Sequence, residues 1–162
     1  MGAPLHLSDA EATDRLEQML GEILRGQMLA DVPLGAFLSG GVDSSTIVAL
    51  MVRQSEHKVR TFCIGFSAGA TSEAEHARAV ARHLGTDHTE LIVGPGDALA
   101  LVPRLATLYD EPFADSSQMP TLLVAQMARR QVTVALSGDA GDELFAGYNR
   151  YLIADRLWKR LQ

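Results

Sequence analysis

The chain has 162 residues, 47% of them hydrophobic and 21% charged. That is the size and balance of one globular domain and excludes a disordered tail. A net charge of −6 repels phosphate backbones and argues against nucleic acid as a main partner. The single cysteine, Cys63, excludes a disulfide framework and a cysteine-based zinc site, and fits a reducing, cytoplasmic compartment. No stretch reaches the roughly 18 apolar residues of a membrane span. Residues Met1 to Leu7 show neither a basic start nor an apolar export core. His6 stands where an N-myristoylation signal needs a small hydroxyl residue.

Ser8 to Ala30 reads as an amphipathic helix. Ser8 and Glu11 make a capping-box pattern, and Leu16, Met19, Leu20, Ile23 and Leu24 fall on one face. That face needs a sheet or a neighbouring domain to pack on, or is an interface left bare by truncation; a homodimer is compatible with the sequence. Val32 to Leu38 reads as a buried strand running into Ser39-Gly40-Gly41. Ser44 to Gln54 is a helix, Val59 to Phe66 a second strand. Ser72 to Leu84 is a helix opened by Ser72 and Glu75 and stopped by Gly85. His88 to Val93 is a third strand, closed by Gly94-Pro95-Gly96.

Ala98 to Tyr109 predicts a helix that Pro103 must kink or restart. A polar loop, Glu111 to Ser117, leads to a helix over Gln118 to Arg130, with Pro120 in its first turn. Val132 to Leu136 is a fourth strand ending at Ser137-Gly138, and Asn149 to Leu161 a last helix. Strands alternate with helices throughout, which predicts a doubly wound α/β fold: a parallel sheet with helices on both faces. No repeat or low-complexity linker divides the chain, so residues 1–162 read as a single domain. The last helix ends at Gln162 without a cap, which suggests a truncated C-terminus.

Parallel sheets bind ligands at the carboxyl ends of their strands, and two strands here end in unusual loops. The first is Leu38-Ser39-Gly40-Gly41-Val42-Asp43-Ser44-Ser45. Its glycines let the backbone approach a ligand, the next helix aims free N–H groups at the same point, and three serines add hydroxyls. The loop suits a pyrophosphate. It is not a Walker loop, because no lysine stands in it. Asp43 is then a candidate Mg²⁺ ligand, since such sites combine one or two carboxylates with phosphate oxygens. The plain alternative is a Ser/Gly-rich turn before a helix.

The second loop runs from Leu136-Ser137-Gly138-Asp139-Ala140-Gly141-Asp142-Glu143 to Tyr151. Three carboxylates within five positions repel one another unless a cation or strong donors hold them. Alone, it could equally be a solvated acidic loop.

The SGGVDSS loop resembles the pyrophosphate loop of the ATP pyrophosphatases. With the second loop and the segment Tyr109-Asp110-Glu111-Pro112-Phe113-Ala114-Asp115, the chain resembles the synthetase domain of glutamine-hydrolysing asparagine synthetases, from about Ser8 to Tyr151. The fold this resemblance implies is the Rossmann-like, adenine-nucleotide α-hydrolase type, with ATP and Mg²⁺ as cofactors. It implies that Leu38 and Ile64 hold the adenosine. Ser39, Gly40, Gly41, Asp43, Ser44 and Ser45 would hold the pyrophosphate end, and Ser137 and Gly138 the ribose and α-phosphate region. Asp43 and Asp142 would be the Mg²⁺ carboxylates, and Asp139 would act in forming an acyl-adenylate.

The implied reaction is attack of a carboxylate, aspartate first, on the α-phosphorus of ATP, with pyrophosphate leaving. Ammonia then displaces AMP. Ala140 and Ala146 stand where the family commonly has glycine, and a methyl at Ala140 disfavours positive φ there. In the family, ammonia comes from an N-terminal glutaminase domain opened by a cysteine. Gly2 stands at that position here, so the glutaminase domain is expected to be missing. A later basic residue that meets the phosphates has no lysine counterpart. Arg150 is the candidate surrogate and reads more simply as a surface arginine.

Cys63 reads as a buried structural cysteine. His76, His83 and His88 read as surface or helix-end residues, not as a zinc cluster. Three readings compete: an ATP-dependent amide-forming ligase, including relatives that amidate sugar acids or close a β-lactam ring; a nucleotide-binding module without catalysis; and a tRNA-modifying enzyme. The acidic charge disfavours the last.

Overall fold

The structure, a computed structural model, describes residues 5–67, 73–112 and 114–161. Ser72 of the expected second capping box and Phe113 lie outside the described residues. Four strands, β1 (Leu34–Phe37), β2 (Arg60–Phe66), β3 (Asp87–Val93) and β4 (Val134–Leu136), form one sheet in the order β3-β2-β1-β4. Every pairing is parallel. The α/β reading therefore holds, and all four expected strands are present.

The helices are α1 (Asp9–Gln27), α2 (Val42–Gln54), α3 (Glu73–Leu84), α4 (Pro95–Leu108), α5 (Gln118–Ala128), α6 (Gly141–Phe145) and α7 (Asn149–Leu161). Ser8 caps α1 as its sequence predicts: its backbone N–H donates to Glu11 Oε2 at 2.8 Å, and the Glu11 N–H returns a bond to Ser8 Oγ at 3.3 Å.

Alternation along the strands separates two cores. Ala36, Leu38 and Cys63 face α2 and α3, where Val48, Met51, Ala74, Ala77 and Ala81 are buried with Leu24 of α1. Phe62 turns the other way, onto Met127, Ala128 and Val132. Helices thus cover both faces. Gly35 serves this packing, since a Cβ there would come 2.8 Å from the Arg60 carbonyl oxygen and the Phe62 ring.

Most element ends shift by one to three residues from the sequence reading, and two differences bear on the architecture. Helix α4 starts at Pro95, not Ala98, because Pro95 suits the first helical turn and the Asp97 carboxylate accepts the Gly94 N–H at 2.8 Å. It then runs through Pro103 as one helix, with buried Leu101 as its anchor. The turn α6 falls inside a segment read only as loop.

Cys63 is buried, and burial pushes its thiol up to about 11, with Glu90 and Glu73 adding to the effect. It is a core residue, as expected. His88 is half-buried beside the Thr61 hydroxyl, 2.9 Å from Nδ1, and burial lowers its pKa. Among the described residues no His, Cys, Asp or Glu groups converge as a three-ligand metal centre, and no helix is long and apolar enough to cross a membrane.

Candidate functional site

The strand order creates the site. β1 lies between β2 and β4, so the chain leaves β1 toward one side of the sheet and β4 sits on the other. Connections diverge at such a switch point and open a crevice above the strand ends. The loops after β1 and β4 are the two singled out by sequence, and they meet there.

A cleft of about 750 Å³ opens between them, a volume within the range of small-molecule sites. Ser39, Gly41, Asp43 and Ser44 line it from the first loop, and Ser137, Gly138, Asp139 and Asp142 from the second. The loops touch closely. A Cβ at Gly138 would come 2.7 Å from the Ser44 backbone nitrogen, and one at Gly141 would run into the Asp43 carboxylate. Asp43 and Asp142 line this one cleft, one from each loop.

The first loop is self-organised. Ser44 Oγ lies 3.0 Å from Ser39 Oγ and accepts the Ser39 N–H at 3.2 Å. Ser39 Oγ accepts the Gly41 N–H at 3.3 Å. Gly40 bends the chain with φ +83, and a side chain there would strike the α3 backbone at His76 and Ala77. Gly41 is the N-cap of α2 and makes no side-chain cap bond. The helix therefore begins, with its partial positive charge, among the residues that line the cleft.

The second loop winds into α6. Ser137 Oγ donates to Asp139 Oδ2 at 3.0 Å. Ala140 and Ala146 flank the turn at φ +74 and +57, both left-handed. The expectation that the Ala140 methyl keeps this position out of positive φ is overturned. The fold imposes the bend: Gly141 N–H reaches the Gly138 carbonyl at 3.3 Å and Leu144 N–H the Ala140 carbonyl at 3.0 Å. An L-residue in this conformation carries about 1–2 kcal/mol of strain. Glycine would release it, less roughly 0.4–1 kcal/mol of unfolded-chain entropy. Ala140→Gly should therefore raise the unfolding free energy by about 0.5–1 kcal/mol in a urea titration.

Not every expected site residue lines the cleft. Leu38 and Ile64 are buried core residues. Gly40 lies beneath the loop, against α3. Ser45 Oγ is buried and, among the described residues, has no hydrogen-bond partner. Sequence reasoning gave no role to Phe37, Val42, Gly147 or Tyr148, which do line the cleft. Tyr148 and Gly147 sit in the quoted second loop, so the signal was proximity alone. Arg150 is exposed on α7, with its guanidinium 3.8 Å from the centroid of the Tyr148 ring.

The electrostatics are one-sided. Asp43, Asp139, Asp142 and Glu143 all line the cleft, and among the described residues no lysine or arginine does.

The sequence profile of the family described as "Asparagine synthase" matches residues 15–162. The chain belongs to the asparagine synthase family. A Methanocaldococcus jannaschii relative bearing an asparagine synthetase name is 42% identical over 142 residues, covering 87% of this chain and 27% of that protein. The Bacillus subtilis protein named asparagine synthetase [glutamine-hydrolyzing] 1 is 34% identical over 148 residues, covering 91% of this chain and 23% of that one. The chain thus spans about a quarter of the length of these relatives.

Solved structures give the fold. The NH3-dependent NAD synthetase of Campylobacter jejuni superposes with a TM-score of 0.58 at 12% identity, over 84% of this chain and 60% of that one. A glutamine-dependent NAD+ synthetase of Acinetobacter baumannii, solved with ADP, gives 0.57 at 20% identity, over 91% and 29%. The likeness shows the fold, a parallel sheet with helices on both faces, as in these synthetases.

Proposed function

We propose that the cleft binds ATP with Mg²⁺ and activates a carboxylate, aspartate first, for amide formation. The observation that carries this is the seam where the two loops touch, with the Asp43 carboxylate against Gly141 and beside the start of α2. An all-acidic cleft repels a triphosphate unless cations stand between them. The donor set fits magnesium. Asp43 and Asp142 supply two hard carboxylates in one cleft, and phosphate oxygens and water would complete the shell. A protein-only cage is not needed. Bound there, Mg²⁺ would neutralise charge on the departing pyrophosphate.

In this reading the carboxylate oxygen bonds to the α-phosphorus as the bond to the pyrophosphate oxygen breaks. Ammonia then attacks the acyl carbon, AMP leaves, and the nitrogen sheds a proton. The amides that open α2, with the Ser39 and Ser44 hydroxyls, receive the pyrophosphate. Gly40 and Gly41 shape their approach, and Ser45, in the first turn of α2, completes the pyrophosphate loop. Ser137 and Gly138 sit near the ribose and α-phosphate, and the backbones of Leu38 and Ile64 read the adenosine. Asp139 orients the acyl group during adenylate formation. The protein contributes positioning and charge stabilisation and no covalent nucleophile. The names of the relatives point to glutamine as the source of ammonia.

Carboxylate-dependent ATP–pyrophosphate exchange with a panel of amino, sugar and β-amino acids tests this. Exchange that depends on one acid and on Mg²⁺ is expected. ATP binding with no exchange for any acid overturns the catalytic reading and leaves a nucleotide-binding module.

A further inference from the structure

Little apolar packing holds the turn α6, although α6 carries Asp142. None of its residues is buried, and Leu144 and Phe145 stand exposed. A single helical turn does not persist alone. Its fastenings are polar: besides the Gly141 and Leu144 N–H bonds at its start, several gather at its C-terminal end. The Gly147 N–H donates to the Asp142 carbonyl at 2.9 Å. The Tyr148 hydroxyl donates to Glu143 Oε1 at 2.8 Å. That bond holds the Glu143 carboxyl below the usual carboxylate range and the Tyr148 phenol above its own. The Arg150 guanidinium stacks on the Tyr148 ring and limits its swing. Gly147 itself lies against the Asp142 carboxylate, since any side chain there would collide with Asp142 Oδ1.

We propose that Tyr148 is a positioning residue: its hydroxyl, acting through Glu143, holds the turn that presents Asp142 to the cleft, and Arg150 in turn holds Tyr148. The proposal rests on reading the cleft as a Mg²⁺–ATP site. Because Tyr148 also lines the cleft, the rival role is direct contact with substrate, and the two roles predict different results.

Amide hydrogen exchange on the ligand-free protein separates them from the functional reading. The variants are Tyr148→Phe, Glu143→Ala, Glu143→Gln and the double Tyr148→Phe/Glu143→Ala. The Leu144 and Gly147 amides should exchange roughly three- to tenfold faster in Tyr148→Phe and in Glu143→Ala, as one lost hydrogen bond implies. Glu143→Gln keeps an acceptor and should restore most of the protection. The double variant should be no worse than either single one, because both remove the same bond. In ATP–pyrophosphate exchange, the Mg²⁺ concentration giving half the maximal rate should rise by a similar factor in Tyr148→Phe, more than the saturated rate falls.

Unchanged protection in Tyr148→Phe, or additive losses in the double variant, overturns the proposal. So does a fall in the saturated rate with no change in the Mg²⁺ requirement, which marks direct contact. Protection is read without nucleotide, so a wild-type chain inert toward every acid would overturn the functional reading separately.

Discussion

Asp43→Asn should abolish measurable ATP–pyrophosphate exchange while leaving the thermal midpoint almost unmoved. Asparagine has the shape of aspartate, so the packing of Asp43 against Gly141 survives the change. What disappears is a full negative charge and a hard anionic oxygen. In the proposed site that oxygen holds the cation that lets pyrophosphate depart from an acidic cleft. Removing one preorganised electrostatic group of this kind typically costs about 10²–10³ in rate. Loss of a metal ligand from a set of only two carboxylates should sit at or beyond the upper end. The control is Asp97→Asn, which touches the Gly94 turn on the far helix α4 and should keep full exchange. If Asp43→Asn retains exchange within a fewfold of the wild type, Asp43 is not the metal ligand and the cleft must be read again.

The order of strands and helices was legible because hydrophobic period and turn chemistry agree along most of the chain. Val59 to Phe66 is apolar and bounded by turn residues, and it forms β2 over Arg60–Phe66. Ser8 and Glu11 announce α1, and the structure bonds them reciprocally. Gly85 stops α3 with φ +71. The two loops were legible for another reason: Gly-Gly beside three serines and a carboxylate after a buried strand suits a bound anion, and three carboxylates within five positions call for a cation.

The less legible features depend on partners distant in sequence. Nothing local states that β4 pairs with β1, although that pairing is what brings the loops together. Helix α6 has no apolar period to advertise it. The left-handed alanines, Ala140 and Ala146, contradict local preference and are imposed by the loop around them. Ser45 reads like its neighbours Ser39 and Ser44, yet helical rotation turns its hydroxyl into the interior.

Gly138→Ala should disable the site more than it destabilises the fold. The added Cβ would meet backbone: 2.7 Å from the Ser44 nitrogen, 2.9 Å from the Asp43 carbonyl carbon and 3.0 Å from the Ser44 Cα. None of these atoms can rotate away, since they belong to the first turn of α2. The loops must therefore part by some tenths of an ångström to about an ångström, the scale at which misplaced reacting groups lose roughly 10²-fold in rate. The overpacking itself should cost about 1–3 kcal/mol in a denaturant titration. Gly141→Ala makes a useful contrast, because its Cβ meets the Asp43 side chain, which can swing aside. It should unfold at nearly the wild-type denaturant concentration but need more Mg²⁺ for exchange. Gly96→Ala, in helix α4 with open space around it, should leave exchange unchanged and should not lower the denaturant midpoint. Wild-type exchange in Gly138→Ala would mean that the contact between the loops is incidental to the chemistry, and that the two halves of the cleft work apart.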